Sequence, residues 1–142
     1  MIYTYDPRKV LISLGSHVVT GYSDGTYISI EANGDGVTKK VGCDGEIVRS
    51  LDPDETAKLT LTLIQTSKTT QYVREMYKKD KTDGSGMFAV LIKDMKGGLL
   101  FSADKAWVIK QPSSEFAKEA SDRTIELDCG VCTWGGESYP SV

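Results

Sequence analysis

Three groups of residues in this chain carry side chains able to do chemistry, and each lacks something its reaction needs. Cys129-Gly130-Val131-Cys132 has the CxxC spacing of redox and zinc sites. A redox CxxC opens a helix, where the dipole lowers the thiol pKa; this one closes a strand instead. With Cys43 and His17 the chain could just fill four zinc positions, but those two have no paired spacing of their own. Asn33-Gly34-Asp35-Gly36 has the glycines of a phosphate-cradling loop, yet no helix is expected after it and no Gly-Lys-Ser/Thr occurs. Asp52, Asp54 and Glu55 gather around Pro53 without the acid–glycine pattern of a calcium loop.

The single histidine, His17, follows a hairpin turn, and Ser13, Ser16 and Ser23 lack the G-x-S-x-G elbow of a nucleophilic serine. Nothing in these patterns asks for a cofactor or a metal, and together they argue against an enzyme. The cysteines form an odd set of 3, which opposes a disulfide framework and leaves them to read as small apolar residues for a core.

Composition narrows the class further. A chain of 142 residues, 39% apolar and 26% charged, suits one domain over residues 1–142. No apolar run approaches the roughly 18 residues that cross a bilayer as a helix. The start, Met1-Ile2-Tyr3-Thr4-Tyr5-Asp6-Pro7, has neither the basic segment nor the apolar core of a signal peptide, so cytoplasmic synthesis and assembly are expected. Formal charge is −3 and the pI about 5.2, whereas a domain that grips nucleic acid carries a basic face. DNA passing by without sticking remains compatible with that balance.

The elements follow from periodicity. Val10, Ile12 and Leu14 alternate against Lys9, Leu11 and Ser13, and Gly15-Ser16 turns the chain into His17–Thr20. A strand over Thr26–Ala32 comes next. Lys58–Gln65 sets Leu59, Leu61 and Leu63 against Lys58, Thr60 and Thr62, the pattern of a sheet with one apolar and one wet face. Ser67–Lys79 reads as the one helix, with Ser67 as N-cap and an apolar stripe of Tyr72, Val73, Met76 and Tyr77. Met87–Lys93, Leu99–Ser102 and Ala106–Lys110 are strands, the last two interrupted near Ala103–Lys105 by a bulge. Pro112 ends that run, and Glu115–Ala120 reads as a short turn or an edge strand. Arg123–Cys129 alternates again, and Gly135–Val142 reads as a loose tail. The sum is mainly β (α+β): an antiparallel β-sandwich or small barrel of about seven or eight strands with one packed α-helix.

One segment does not fit a compact domain. Between the strand ending at Ala32 and the strand starting at Lys58 lie about twenty-five residues, where roughly 2–6 are usual. Asn33-Gly34, Asp35-Gly36 and Asp44-Gly45 are turn signals, while Lys39–Gly42 and Glu46–Arg49 read as short extended pieces. The segment Asn33–Leu51 is therefore expected to be a hairpin-shaped arm.

The order Gly21-Tyr-Ser-Asp-Gly-Thr-Tyr-Ile28, Thr38-Lys-Lys-Val-Gly-Cys-Asp-Gly-Glu46, Leu59-Thr-Leu-Thr-Leu-Ile-Gln-Thr-Ser67 and Leu91-Ile-Lys-Asp94 resembles the tail tube subunits of contractile-tailed phages and related phage-tail-like bacteriocins. The likeness runs from about Tyr5 to Cys129. It implies hexameric rings stacked into a tube, with several strands of each subunit joined in an inner barrel. It also implies an arm reaching the neighbouring ring through Asn33, Gly34, Asp35, Gly36, Lys39, Lys40, Asp44, Gly45, Glu46 and Arg49. A lumen that lets DNA slide should be neutral to acidic, since Lys and Arg would hold phosphates. Thr60, Thr62, Thr124, Glu126 and Asp128 are the lumen candidates. The helix would face a surrounding sheath through Lys68, Arg74 and Lys78. Further partners implied are baseplate hub and tape measure proteins. Two other readings stay open: a single-ring hub or terminator of the same machine, and a monomeric β-sandwich that holds a ligand with the arm.

Overall fold

A computed structural model describes residues 1–95 and 98–137. These residues form ten strands: β1 Val10–Leu14, β2 His17–Val18, β3 Ile28–Ala32, β4 Val37–Val41, β5 Ile47–Leu51, β6 Ala57–Leu63, β7 Phe88–Asp94, β8 Gly98–Val108, β9 Arg123–Cys129 and β10 Cys132–Trp134. One helix, α1, runs Thr69–Asp83. All pairings are antiparallel. The main sheet runs β2-β1-β7-β8-β9-β6-β3 with β10 on β8, and β4–β5 form a separate hairpin. The fold is thus mainly antiparallel β with one helix, as the periodicity requires. The extra strands beyond the expected count are the two halves of the arm and the three-residue β10.

The sheet has to curl. Seven strands about 4.8 Å apart make a surface roughly 30 Å wide, and one helix about 10 Å across covers only part of it. Yet Ile12 and Leu14 of β1, Leu59 and Leu61 of β6, Phe101 of β8, and Ile125 and Leu127 of β9 are all at 0% exposure in one cluster. The two halves must therefore cover each other. Tyr22 marks where they meet: it bridges to Leu63 of β6, stacks on Tyr27, and donates its hydroxyl to the Val10 carbonyl of β1 at 3.0 Å.

The expected break at Ala103–Lys105 is a bulge inside one continuous strand. Register between β7 and β8 shifts between Phe88 and Val90, opposite Ala106 and Ala103. Before the bulge β8 pairs with β10, and after it with β9; the extra residue re-aims the strand from one neighbour to the other.

Several expectations need correction. The helix starts at Thr69, not Ser67, and continues to Asp83, where Gly84 at φ +76° closes it in the left-handed conformation. Ser67 still supports the first turn, accepting from the Thr69 N–H at 3.2 Å. Val73 and Met76 are buried as expected, while Tyr72 and Tyr77 are half-buried. The periodicity missed Thr69 and Thr70, which are buried with them. Thr69 Oγ1 accepts from the Thr20 N–H at 3.2 Å and bonds His17 Nε2 at 2.9 Å, with Tyr72 stacked on the imidazole. The stretch Glu115–Ala120 is neither helical turn nor strand. Of the tail, Gly135 is tied down by its N–H to the Leu100 carbonyl at 2.9 Å, and 138–142 lie outside the described residues.

Leu61 is fully buried where β6 meets both β3 and β9. Leu61→Ala should lower the unfolding free energy by about 2–5 kcal/mol in a denaturant titration. A loss below about 1 kcal/mol would contradict a packed core at this position.

Candidate functional site

Glycine and aspartate chemistry builds the root of the arm. Asp52 accepts the Asp35 N–H with one carboxylate oxygen and the Asp54 N–H with the other, both at 2.9 Å. Its own N–H donates to the Gly36 carbonyl at 2.7 Å. Asn33 donates to the Thr56 carbonyl and hydroxyl, each at 3.0 Å, and Thr56 donates its hydroxyl to Asp54 at 2.6 Å. A Cβ on Gly34 would collide with the Asp54 carbonyl, so this position needs glycine for close approach rather than for flexibility. The entering and leaving strands are thus cross-linked at the root, and the arm is held in one pose.

From that root β4 and β5 run out as a hairpin, closed by Gly45 at φ +88° and by the Glu46 N–H donating to the Asp44 side chain at 3.1 Å. Every residue of both strands is exposed. That is unusual for a segment carrying Val37, Val41, Ile47, Val48 and Leu51, whose exposures range from 51% to 73%. Cys43 sits exposed in the tip. The hairpin expected over Asn33–Leu51 is therefore present, with all ten named arm residues in it or at its root.

The five lumen candidates also come together. β6 and β9 pair so that Thr60 faces Glu126, Thr62 faces Thr124 and Lys58 faces Asp128. All five stand on the face opposite Leu59, Leu61, Ile125 and Leu127. Glu126 bonds two ammonium groups there, Lys58 Nζ at 3.3 Å and Lys110 Nζ at 3.7 Å. Such exposed pairs add only about 0–1 kcal/mol of stability; their larger effect is to compensate the lysines on this face. Sequence reasoning missed Lys58 and Lys110 as partners, since strand pairing is not written in either segment.

The helix candidates separate. Lys68 and Lys78 are exposed, while Arg74 is half-buried and donates to Ser114 Oγ at 2.7 Å. That bond ties α1 to the 111–122 segment. Arg123 ties the same segment from beneath. At 4% exposure, it donates to the Glu115 carbonyl at 2.7 Å and to Ser121 Oγ at 3.1 Å, with its guanidinium over the Phe116 ring. Strand parity could have revealed it, because Arg123 shares the inward phase of Ile125, Leu127 and Cys129.

The CxxC pair spans the turn from β9 to β10, and both thiols are buried. Burial pushes Cys129 up to about 12, against the thiolate that redox or metal chemistry needs. Cys132 donates to the Gly130 carbonyl at 2.9 Å.

The sequence profile of the bacteriophage PhiTE tail tube protein family matches residues 11–133. The chain belongs to that family. Structural protein ORF10 of Pseudomonas phage KPP10 is 30% identical over 128 residues, covering 84% of this chain and 74% of that protein. Among solved structures, the tube-terminating cap of the anti-feeding prophage superposes with TM-score 0.60 at 16% identity, over 94% of this chain and 91% of its own. The sheath/tube terminator of the extracellular contractile injection system PVC, in its extended state, gives 0.60 at 10% identity over 95% and 99%. The sheath–tube complex of that system gives 0.58 at 12% over 94% and 93%. At these identities the three structures share the fold. The tail tube family resemblance read from the residues is therefore right, and the fold is that of phage-tail-like tube and terminator subunits.

Two outcomes follow from this geometry. Accepting two N–H groups holds the Asp52 carboxyl below its ordinary value, with the Asp35 bond the larger cause and the Asp54 bond next. A lowered carboxylate stabilises above the ordinary value near 3.9 and loses that contribution as pH falls through the lowered one. Protection of the Asp35 and Asp54 amides against hydrogen exchange, relative to their intrinsic rates, should therefore fall selectively in acid, and at neutral pH in Asp52→Ala, with protection in β6 and β9 unchanged. Uniform exchange across arm and body would show that Asp52 does not hold the root. Separately, Glu126→Gln frees two lysines, so the tail tube chain should gain affinity for duplex DNA. The log–log salt slope should steepen by about one to two; unchanged binding would mean that Glu126 masks no cation.

Proposed function

We propose that this tail tube family chain is the repeating subunit of the inner tube of a contractile phage tail or phage-tail-like bacteriocin. It acts by geometry rather than by catalysis. Hexameric rings stack axially, each subunit lending the β3–β6–β9 region to a closed inner barrel. The single observation that carries this reading is the arm: a hairpin fixed at its root that holds five large apolar side chains out in water. Such a surface is costly unless a partner covers it.

Sheet anatomy supports the same reading. β2 and β3 end the strand order, and β3 leaves a row of backbone groups that a neighbour's strand would satisfy. Joining such edges around a ring closes the barrel and removes them. The face bearing Thr60, Thr62, Thr124, Glu126 and Asp128 would then line the channel. Its compensated lysines suit a conduit for a polyanion, given the chain's net charge of −3. Lys68 and Lys78 would look outward to a sheath, with baseplate hub and tape measure proteins meeting the tube ends and interior. The mature protein would reside in the tail of the particle.

A second reading, a terminator ring present once per particle, is favoured by the fold likeness to the cap and terminator proteins. The tail tube family match over residues 11–133 favours the repeating tube.

Electron microscopy of the purified chain separates these readings. Open-ended tubes of variable length are expected; isolated rings would support the terminator, and a 15.5 kDa monomer at high concentration would overturn both. Deleting Gly34–Arg49 should leave a cooperatively unfolding body that no longer stacks. Normal tubes from that deletion would remove the arm from the mechanism.

A further inference from the structure

The pairing within the arm divides it into two unlike faces. Directly opposed residues of an antiparallel hairpin share a face. Val37 faces Leu51, Lys39 faces Arg49, and Val41 faces Ile47. These three pairs stand on one side; Thr38–Ser50 and Lys40–Val48 stand on the other. One face is therefore an apolar pair, a cationic pair and an apolar pair in sequence along the arm. Like charges directly opposed across strands are destabilising in isolation. Among the described residues neither Lys39 nor Arg49 forms an ion pair. This face fits a surface that offers carboxylates flanked by apolar groups.

Such a surface lies at the other end of the same subunit. The arm leaves the body after Ala32 and returns at Ala57; these two residues pair with one another, and Ala57 pairs on its other side with Cys129. The 111–122 segment leads into Arg123, which pairs with Leu63 at the opposite end of β6. About 20 Å of strand separates the two ends. That segment carries Glu115, Glu119 and Asp122 against the single cation Lys118, together with Phe116, which is 81% exposed. It is held in place although it has no regular structure. Arg123 bonds its Glu115 carbonyl and Arg74 bonds Ser114. Gln65 accepts the Ser121 N–H at 3.0 Å.

We propose that the Val37–Lys39–Val41 and Ile47–Arg49–Leu51 face of one copy docks on the Glu115–Phe116–Glu119 loop of the next copy along the strand axis. This rests on the tube reading and names the two surfaces it uses. The occupant is a second copy because the two surfaces are complementary in charge and apolarity and lie at opposite ends of one chain. A contact between opposite ends is heterologous and does not close, so it repeats into a filament. Arg74 and Arg123 act as positioning residues for the acceptor loop.

Charge exchange in the 142-residue chain tests the pairing. Lys39→Glu with Arg49→Glu should raise the protein concentration needed for tube formation by about tenfold or more, and so should Glu115→Lys with Glu119→Lys. Combining all four substitutions, or mixing the two double variants, should restore assembly to within about threefold of the unmodified chain. Circular dichroism and thermal melting of each variant separate lost contacts from lost fold. Assembly unaffected by the arm variant overturns the proposal, and so does failure of the combined variant to recover while remaining folded. If the Gly34–Arg49 deletion blocks stacking but charge reversal does not, only this pairing fails. If the deletion also stacks normally, the tube reading of the arm fails with it.

Discussion

The structure depends on one constraint: a sheet with a single apolar face must find cover for that face. β1, β6, β7 and β9 alternate with every second residue buried, and β8 does so on either side of its bulge. One helix is too narrow to roof seven strands, so the sheet bends over itself and α1 fills part of the opening. Bending without closing leaves β2 and β3 as free ends of the strand order. It also leaves an opposite face that must be wet, and there Thr60, Thr62 and the Glu126–lysine cluster stand. Core, edges and wet face are three consequences of the same alternation. For a member of the tail tube family, the edges and the wet face are what assembly can use.

The arm answers a different requirement. A hairpin standing alone in water is marginal, and this one exposes its apolar residues on both strands. Its order comes from the root, where Asp52 and Thr56 satisfy backbone groups and Gly34 lets the strands approach. A freely swinging arm would lose conformational entropy each time it docked. Fixing its direction beforehand would lower that cost in the docking proposed above, with the polar root orienting the apolar blade.

Much of this was legible in the residues. The Leu–Thr alternation of β6 placed both faces of that strand, and the turn signals marked the arm and its tip. The helix stripe was visible through Val73 and Met76. What was not legible depended on contacts between distant segments. Thr69 and Thr70 read as ordinary polar helix residues, because the partners of Thr69, His17 and Thr20, lie about fifty residues earlier. β10 is too short for periodicity and exists because the bulge in β8 frees half of that strand for it. Arg123 and Asp94 share the inward phase of their strands and both are buried, where charged side chains seldom lie. The pairing of β6 with β9 decided which lysines meet Glu126, and no local pattern encodes that register.

A helical reconstruction of tubes grown from the purified chain tests the central claim most directly. The account predicts the β4–β5 hairpin lying against a subunit of the adjacent ring, with the Thr60, Thr62 and Glu126 face turned to the channel. A hairpin folded back on its own subunit, or standing free in solvent between rings joined by other contacts, would contradict it.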